Sequence, residues 1–316
     1  MCSSDLINRF AGDLIVNNGT LTRLNPNFGG INYTTADGNA NGNRFSAVLT
    51  RRMSHGLAFR GIYGYGKSMD TLSNSASLSS GNITSGNQNG PVIQNGDLPA
   101  QRGRSDFDIR QQFAFDGTWI APSHYGSAVM RNLVGGWQFS GVWLAQTGLP
   151  FWVYTTAGFS PICSAGMTAV NGACPLGSTI IGNSGGDYNA DGSNYDVPNV
   201  PAFGSHLSGK KKNDFINGLF PASAFPAPAL GMEGNLGRNT YDNEGYNNVN
   251  FTVTKYFSVP WFFGEKLRLE GRGEFFNLFN RSNLISVQND LSQGTFGKAT
   301  SQLPARSIQI HVRAIF

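Results

Sequence analysis

Four side chains that carry oxygen ligands lie close together in one polar stretch of the sequence: Asp187, Asn189, Asp191 and Asp196. The first three alternate along the chain and Gly192 follows them, which matches the opening of a calcium-binding loop. In such loops, ligands at alternate positions converge on the ion and the glycine allows a sharp turn. The twelfth position holds Pro198 instead of the usual glutamate. The sequence therefore predicts either a calcium site or a solvated turn rich in Asp and Asn.

A second chemical motif is the spacing of Gly182, Ser184 and Gly186, which satisfies the nucleophile elbow of hydrolases. An elbow needs a strand that leads into a helix, whereas a turn rich in Asp, Asn and Gly follows this serine. The four histidines show neither a close pair nor metal-ligand spacing: His55, His124, His206 and His311. We therefore expect no enzymatic activity, and no cofactor other than the calcium considered above.

Charged residues alternate with small and apolar ones in the last third of the sequence. One face of residues 266–276 carries four charges, and the corresponding face of residues 307–316 continues the pattern: Arg268, Glu270, Arg272, Glu274, Gln309, His311 and Arg313. Four alternating charges cannot line a dry core, so this face needs water. We predict that these residues face the lumen of a membrane β-barrel. There they either contact a substrate or plug, or form a ladder of cross-strand ion pairs.

The opposite face of the same segments is apolar and needs either a protein core or hydrocarbon. Leu267, Leu269 and Phe275 share it in the first segment, and Ile308 and Ile310 share it in the second. Comparable alternation recurs in eight segments: residues 30–35, 44–52, 56–66, 107–120, 136–146, 248–256, 266–276 and 307–316. A period of two is typical of strands. The sequence predicts an all-β protein, an antiparallel transmembrane β-barrel fragment of about eight strands.

The connections between these segments alternate in length. Short or medium connections occur at residues 53–55, 121–135 and 258–265, whereas long polar ones occupy about 68–105, 156–247 and 279–306. Such alternation is typical of the periplasmic turns and long extracellular loops of outer-membrane barrels. A soluble β-sandwich would more often have connections of similar, modest length.

Aromatic side chains cluster near the ends of the predicted strands. Seven of them are candidates for the two girdles that flank the apolar band of a membrane barrel: Tyr63, Tyr65, Trp119, Trp137, Trp143, Trp152 and Trp261. Amphipathic rings favour the membrane interface because one end is apolar and the other end hydrogen-bonds water. The alternative is that these rings are ordinary core aromatics.

Composition limits the class of protein. Hydrophobic residues make up 40% of the chain, and charged residues make up 13%, well below the roughly 25% of soluble domains. No stretch approaches the roughly 20 apolar residues of a membrane-spanning helix. The formal net charge is +4, and the one basic cluster, residues 210–212, lies in a predicted loop. This is too sparse for binding nucleic acid, so we predict a solvated loop or one that faces lipopolysaccharide.

The cysteines and the first residues bear on export. Cys163 and Cys174 bracket a glycine-containing segment and either form a loop disulfide, as an exported protein permits, or stay free thiols. Residues 1–27 show no strong periodicity and no secretory signal. We expect them to be a truncated loop or linker of a longer protein, followed by a C-terminal barrel segment over residues 28–316.

Several stretches together resemble the C-terminal part of an Oar-like TonB-dependent receptor. The most distinctive are GGWQ and GLPF within residues 135–151 and EFFNLFN at residues 274–280; residues 45–70, 186–199 and 234–240 add to the likeness. The resemblance implies a barrel of about 22 strands, of which this chain supplies the last third without the plug. It also implies that Phe316 belongs to the outer-membrane assembly signal, although His311 stands where glycine is common.

These observations predict a function in binding and transport. We expect the chain to be part of a TonB-dependent transporter or receptor in the cell outer membrane, which moves an unknown solute through a plugged barrel. The implied partners are outer-membrane lipid and lipopolysaccharide, the barrel-assembly machinery, TonB through a missing N-terminal part, and a small solute or polymer. The alternative is a β-rich surface adhesion module with no transport role. Unpaired sheet edges should also make the isolated chain unstable as a soluble monomer.

Overall fold

The computed structural model describes residues 2–4, 27, 33–35, 38–71, 73, 102–122, 130, 133–170, 174–188, 196–204, 209–230, 232–260 and 266–315. In chain order, its strands are β1 (Cys2–Ser4), β2 (Tyr33–Thr35), β3 (Ala40–Ser54), β4 (Leu57–Asp70), β5 (Gly103–Arg104), β6 (Gln111–Ile120), β7 (Trp137–Gln146), β8 (Pro150–Phe151), β9 (Pro161–Cys163), β10 (Ile180–Asn183), β11 (Tyr241–Asp242), β12 (Tyr246–Pro260), β13 (Lys266–Phe276), β14 (Leu284–Val287), β15 (Ala299–Gln302) and β16 (Ser307–Ile315). Helix α1 covers Lys212–Asn217, and 3-10 helices cover Ser164–Gly166 and Ala222–Ala224. Within the described residues, no helix has both the length and the apolar character needed to cross a membrane.

Eight strands form one antiparallel sheet in the order β16, β13, β12, β7, β6, β4 and β3, with the short β5 paired to β4. The seven long strands correspond to seven of the segments predicted from alternation. β6, β7, β13 and β16 have 10, 10, 11 and 9 residues, and a transmembrane β-strand needs about 9–11. The predicted all-β, antiparallel fold is confirmed.

Of the predicted strand at residues 30–35, the structure describes residues 33–35, which form β2. β2 pairs with β1 in a separate two-stranded sheet. The eighth strand of the main sheet is instead β5, which covers only two residues. A run of six residues carries too few side chains of either kind to determine which strand it joins.

The register of the strands produces one face that is apolar apart from Arg51 and Lys255. Directly paired residues of antiparallel strands project their side chains to the same side of the sheet. Following these pairs from β3 to β16 defines the apolar face: Phe45, Leu49, Phe59, Tyr63, Tyr65, Phe113, Phe115, Trp119, Trp137, Phe139, Trp143, Val249, Phe251, Val253, Phe257, Phe275, Ile308, Ile310 and Val312.

The opposite side of the sheet is polar because successive side chains point to opposite faces. The residues between those of the apolar face include Val48, Ile62, Val142 and Leu144, but most of them are polar. The polar face is defined by these polar residues: Arg44, Ser46, Thr50, Arg60, Gln112, Asp116, Thr118, Gln138, Ser140, Gln146, Asn248, Asn250, Thr252, Thr254, Arg268, Glu270, Arg272, Glu274, Gln309, His311 and Arg313.

The two ends of the sheet differ in their connections. β3–β4, β6–β7 and β12–β13 are joined at one end, the short-turn end, and the three long connections leave from the other, the loop end. Gly56 and Gly136 have φ angles of +78° and +72° at the short-turn end. A Cβ atom on Gly56 would lie 2.4 Å from the carbonyl oxygen of Ile120. Glycine is therefore required where this turn passes the neighbouring strand.

The described loop residues within 147–245 and 277–306 fold together into a unit that we call the loop cap. Its strand pairs are β8 with β11 and β14 with β15. Its hydrophobic core consists of side chains that are at most 7% exposed: Phe151, Val153, Phe215, Leu219, Phe220, Phe225, Leu236, Tyr241, Val287 and Phe296. A smaller cluster surrounds β9 and β10, which we call the β9–β10 lobe.

Candidate functional site

The polar face brings the charged residues of β13 and β16 into direct contact. Arg313 lies opposite Glu270, and its Nε donates to Glu270 Oε2 at 3.1 Å. Glu274 contacts two neighbours: its Oε1 is 2.5 Å from Arg272 Nη2, and its Oε2 is 3.3 Å from His311 Nε2. Both glutamates are largely buried, which is tolerated because each carboxylate faces a guanidinium. These contacts favour a cross-strand charge ladder over contact with a substrate or plug alone.

Hydrogen bonds extend this network across the rest of the polar face. On the neighbouring strands β4 and β6, Arg60 Nη2 lies 2.9 Å from Asp116 Oδ1. At the edge of the sheet, Arg44 Nη2 donates to Gln112 Oε1 at 2.6 Å and so reaches from β3 past β4 to β6. The polar face therefore carries ion pairs and hydrogen bonds toward both edges of the sheet, which suits contact with water.

The polar face carries more cations than anions. Its register pairs include five arginines and three carboxylates: Arg44, Arg60, Arg268, Arg272 and Arg313, and Asp116, Glu270 and Glu274. The Arg268 guanidinium lies 4.1 Å from the ring centroid of Tyr256. In the described residues, neither Arg268 nor Arg44 has a carboxylate within ion-pair distance. That this face lines a barrel lumen stays a prediction.

The structure places five of the girdle candidates on the apolar face at two levels. Trp119 and Trp137 lie near the short-turn end, whereas Tyr63, Tyr65 and Trp143 lie toward the loop end. Trp119 is 44% exposed and Tyr65 is 52% exposed, so their rings reach the surface of the sheet. This distribution is the one expected of rings at the two interfaces of a bilayer.

No second layer covers the apolar face in the described part of the chain. Trp143 of the central strand β7 is 41% exposed and Ile310 of the edge strand β16 is 81% exposed, and neither hydrophobic cluster includes a residue of this face. Rings of adjacent strands contact each other along the face, as in the pair Phe59 and Phe115, whose centroids are 5.9 Å apart. In a sandwich, a second sheet would bury such a surface. The face therefore suits hydrocarbon.

An amphipathic antiparallel sheet with turns and loops at opposite ends is the pattern of outer-membrane barrels. The family model described as "Outer membrane beta barrel domain" matches residues 6–309 of the chain. The chain belongs to this family. As an outer membrane beta barrel domain, the protein lies in the outer membrane, which confirms the predicted location. No curated protein and no solved structure matches the chain.

Trp152 does not belong to a girdle of this outer membrane beta barrel domain, so that prediction is wrong. It is 2% exposed within the loop cap, where Asn289 Nδ2 donates to its carbonyl oxygen at 2.9 Å. A girdle and a water-soluble core both select amphipathic rings, so residue type alone could not separate them. Trp261 and Phe316 lie outside the described residues.

The calcium prediction is only partly covered by the described residues. Asp187 and Asp196 are 5% and 3% exposed, and Tyr188 N donates to a carboxylate oxygen of Asp196. Asn189 and Asp191 lie outside the described residues. Among the residues that are described, no group of three or more His, Cys, Asp and Glu side chains is arranged to hold a metal ion. The calcium site stays a prediction.

Cys163 and Cys174 form a disulfide, so the first of the two alternatives for these thiols holds. In the same β9–β10 lobe, Ser184 lies in a bend after β10 and its Oγ donates to the carbonyl oxygen of Ser160 at 3.2 Å. The described residues that follow this serine, 185–188, are not helical. The strand-to-helix geometry of a nucleophile elbow is therefore missing from this stretch.

The histidines take no part in a shared site within the described residues. His55 is at the β3–β4 turn, where its Nδ1 lies 2.9 Å from Ser54 Oγ. His311 contacts only the charge ladder on the polar face. His124 and His206 lie outside the described residues.

Sequence reasoning missed a buried ionic network where the loop cap meets the sheet, which we call the rim network. Arg238 pairs with Asp70 at the end of β4, and the two side chains are 3% and 2% exposed. Arg104 of β5 contacts Asp108 at 2.9 Å and Asp242 at 2.7 Å. Burial lowers the pKa of Arg238 to about 10, so its guanidinium stays charged at neutral pH. No local pattern marks a pair separated by 168 positions.

The rim network also contains a carboxyl group with a shifted pKa. Burial raises the pKa of Asp106, and hydrogen bonds with Asn239 and Ser73 offset part of that rise. Asn239 Nδ2 donates to Asp106 Oδ1 at 2.6 Å and to the carbonyl oxygen of Arg104 at 2.7 Å. The network therefore joins three segments of the chain and holds the loop cap on the barrel rim.

Proposed function

We propose that this outer membrane beta barrel domain is part of a TonB-dependent transporter or receptor that moves a solute through a plugged barrel. The observation that carries the proposal is the polar face, which presents a wide charged surface on a sheet whose other face suits lipid. Small barrels fill their interior with side chains, whereas large barrels have room for water or a plug. A wall with many charged groups requires the second arrangement.

The open sheet supports a barrel that is larger than the described strands. The outer edges of β3 and β16 pair with no other strand in the described residues. An unpaired backbone group in hydrocarbon costs several kcal/mol, so spanning sheets close into barrels. We infer that further strands of the same barrel complete these edges, in line with the resemblance to Oar-like receptors.

The proposed mechanism is binding and transport, with no covalent chemistry. The loop cap meets the solute outside the cell, and the plug opens the lumen when TonB acts on it. Arg44 and Arg268 are the groups of the polar face that we expect to contact the plug or an anionic part of the solute. A calcium ion held by residues 187–196 would stabilise a loop of the cap and take no part in the chemistry.

The test compares cysteine accessibility at two adjacent positions of β16. In the full-length protein in living cells, with Cys2 replaced by serine, Gln309→Cys puts a thiol on the polar face. A membrane-impermeant maleimide should label it severalfold faster in cells with active TonB than in cells without TonB, because plug movement opens the lumen. Ile310→Cys is the matched control on the apolar face, and lipid should protect it in both strains.

Two results of this experiment would contradict the proposal. Equal labelling of Gln309→Cys in both strains, with normal amounts of protein in the outer membrane, would argue against TonB-dependent transport. Rapid labelling of Ile310→Cys from the aqueous phase would show that the apolar face does not contact lipid.

A surface adhesion module is the second candidate function, and the β9–β10 lobe favours it. In the lobe, Val170, Leu176 and Ile181 are 64%, 99% and 63% exposed. Residues 156–186 contain no charged side chain, so this surface suits contact with an apolar partner. Deleting the lobe should abolish cell attachment if adhesion is the function, and should leave TonB-dependent labelling of Gln309→Cys unchanged if transport is.

A further inference from the structure

A cleft lies at the boundary of the loop cap and the sheet. Two adjoining cavities, of about 540 Å³ and about 560 Å³, share Asp242, Gly245 and Arg281 as lining residues. The first cavity is lined by residues of helix α1 and the second by the ends of β6, β7 and β12. Ligand pockets typically have about 300–1,000 Å³, so the cleft has room for a short oligosaccharide.

The cap side of the cleft carries positive charge that no carboxylate balances. Lys210 and Lys212 both line it. Lys210 Nζ donates to the carbonyl oxygen of Leu219 at 3.3 Å, and Lys212 Nζ donates to the carbonyl oxygen and to the Oγ of Ser282, so all three contacts are with neutral acceptors. In the described part of the chain, neither ammonium group has a carboxylate within ion-pair distance. Each therefore has further N–H donors for a ligand.

The carboxylates of the cleft already have cationic partners. Glu244 contacts Arg281 at 3.1 Å, with side-chain exposures of 8% and 44%. Asp242 contacts Arg104 at 2.7 Å. The guanidinium of Arg281 has five N–H donors in a planar fork, most of which stay available. The cleft as a whole therefore favours an anionic group over a cation.

On the polar face of the sheet, the barrel side of the cleft is lined by the amides of Gln112 and Gln146 and by the phenol ring of Tyr246. Amides both donate and accept hydrogen bonds, which suits the hydroxyl groups of a sugar. Ring faces pack against the apolar C–H faces of a sugar ring. An inorganic anion would use only the cationic side, whereas a molecule with an anionic group and several hydroxyls uses both sides.

We propose that this cleft binds an anionic saccharide. Its phosphate or carboxylate group contacts Lys210 and Lys212, and its hydroxyls contact Gln112 and Gln146. The proposal needs the outer-membrane location but does not depend on TonB-dependent transport. Such a ligand has two sources, the core sugars of lipopolysaccharide in the same membrane and a free oligosaccharide from outside. Both present the same chemistry to the cleft.

The experiment measures binding to the purified full-length protein in detergent. The probes are intact rough lipopolysaccharide, the core oligosaccharide released from it by deacylation, and maltopentaose as a neutral saccharide. Lys210→Gln and Lys212→Gln should each weaken binding of the anionic probes about tenfold, because each variant loses one charge-assisted hydrogen bond. Lys211→Gln is the matched control, since it removes the same charge from a neighbour that lines neither cavity.

The outcomes separate the sources and expose a wrong proposal. If the free core oligosaccharide binds and both cleft variants weaken that binding, the ligand comes from outside. If only intact lipopolysaccharide binds, and both cleft variants weaken its binding, the ligand comes from the membrane. Binding of neither anionic probe, equal affinity for maltopentaose, or an equal loss in Lys211→Gln would overturn the proposal. Cysteine labelling at Gln309 is unaffected by these results, so failure here is distinct from failure of the transport proposal.

Discussion

The barrel sheet and the loop cap treat their apolar side chains in opposite ways. In the sheet, Phe45, Leu49 and Ile310 are 61%, 66% and 81% exposed, whereas Phe151 and Tyr241 of the cap are 2% and 1% exposed. Both hydrophobic clusters of the described residues lie in loops. The cap is surrounded by water and must bury its own core, whereas the sheet has lipid as a solvent for its apolar face. Burial therefore follows the solvent of each region.

The two regions also differ in the interactions that hold them together. In the sheet, the backbone of every strand with neighbours on both sides is hydrogen-bonded along those neighbours, and side chains add cross-strand contacts. In the cap, strands of two to four residues contribute little pairing, and packed rings and buried ion pairs dominate. We therefore expect that a perturbation of one region leaves the other largely intact.

Removing a packed ring from the core of the cap should reduce stability more than any other change considered. The Phe220 ring lies 5.0, 5.2 and 5.4 Å from the rings of Phe225, Tyr241 and Phe296. Phe220→Ala should lower the stability of the cap by about 3–5 kcal/mol. Hydrogen exchange on the detergent-solubilised protein should show fast exchange in the cap and unchanged protection in the sheet. Phe257→Ala on the apolar face is the control, and it should leave exchange in the cap unchanged. Loss of protection in the sheet of Phe220→Ala would contradict the independence of the two regions.

A charge on the apolar face should have the next largest effect. Ile310→Arg puts a guanidinium among acyl chains, which costs about 2–4 kcal/mol near the centre of a bilayer. Gln309→Arg introduces the same side chain one position away on the polar face, where water or the ladder receives it. The free energy of folding into lipid vesicles measures the difference. Equal costs for the two variants would show that the faces do not have different solvents.

Removing the disulfide should affect only the β9–β10 lobe. The double variant Cys163→Ser and Cys174→Ser opens a loop with a sequence separation of 11. The loss should be about 2–3 kcal/mol for the lobe, because the unfolded segment regains the freedom that the cross-link removed. Protease cleavage within residues 161–183 should accelerate, as it should in the unmodified protein after reduction. A change in the protection of the main sheet would contradict the prediction.

Of the four changes considered, acidification should have the smallest effect, and it should loosen one contact of the cap. Burial alone would raise the pKa of Asp290, but hydrogen bonds from Thr156 and Ser292 outweigh it and lower the pKa. A lowered pKa in the folded state means that the stability is present above about pH 4 and is lost as the pH falls through the folded pKa. Amide exchange at residues 154–156, corrected for its intrinsic rate, should therefore rise severalfold below about pH 4. Asp290→Asn should remove most of this dependence.

Regular alternation explains why most of the sheet was predictable. In β13, charges from Arg268 to Glu274 alternate with glycine and apolar residues, and in β16 the same period continues from Gln309 to Arg313. The period depends only on the extended backbone, so no knowledge of neighbours was needed. Alternation did not specify which sheet the short segment at residues 30–35 joins, and it gave no guidance at Trp152, where no period exists.

The loop cap was not predictable because its contacts join residues far apart in the chain. The rings of Phe151, Phe220 and Phe296 meet in one core, yet no regular spacing relates them. The sequence shows the lysines of the proposed cleft as a basic cluster in a loop, but it gives no sign that they lie close to Arg281. Loop contacts of this kind depend on how long connections close, which local propensity does not specify.

The alternation of residue types is enough to predict two-faced strands, one face that needs water, one that needs an apolar solvent, and turns and loops at opposite ends. The core of the loops, the pairing of Arg238 with Asp70 and the burial of Trp152 became visible only in the folded chain. Strand alternation depends on the backbone geometry of adjacent residues, whereas loop packing depends on contacts between residues far apart in the chain.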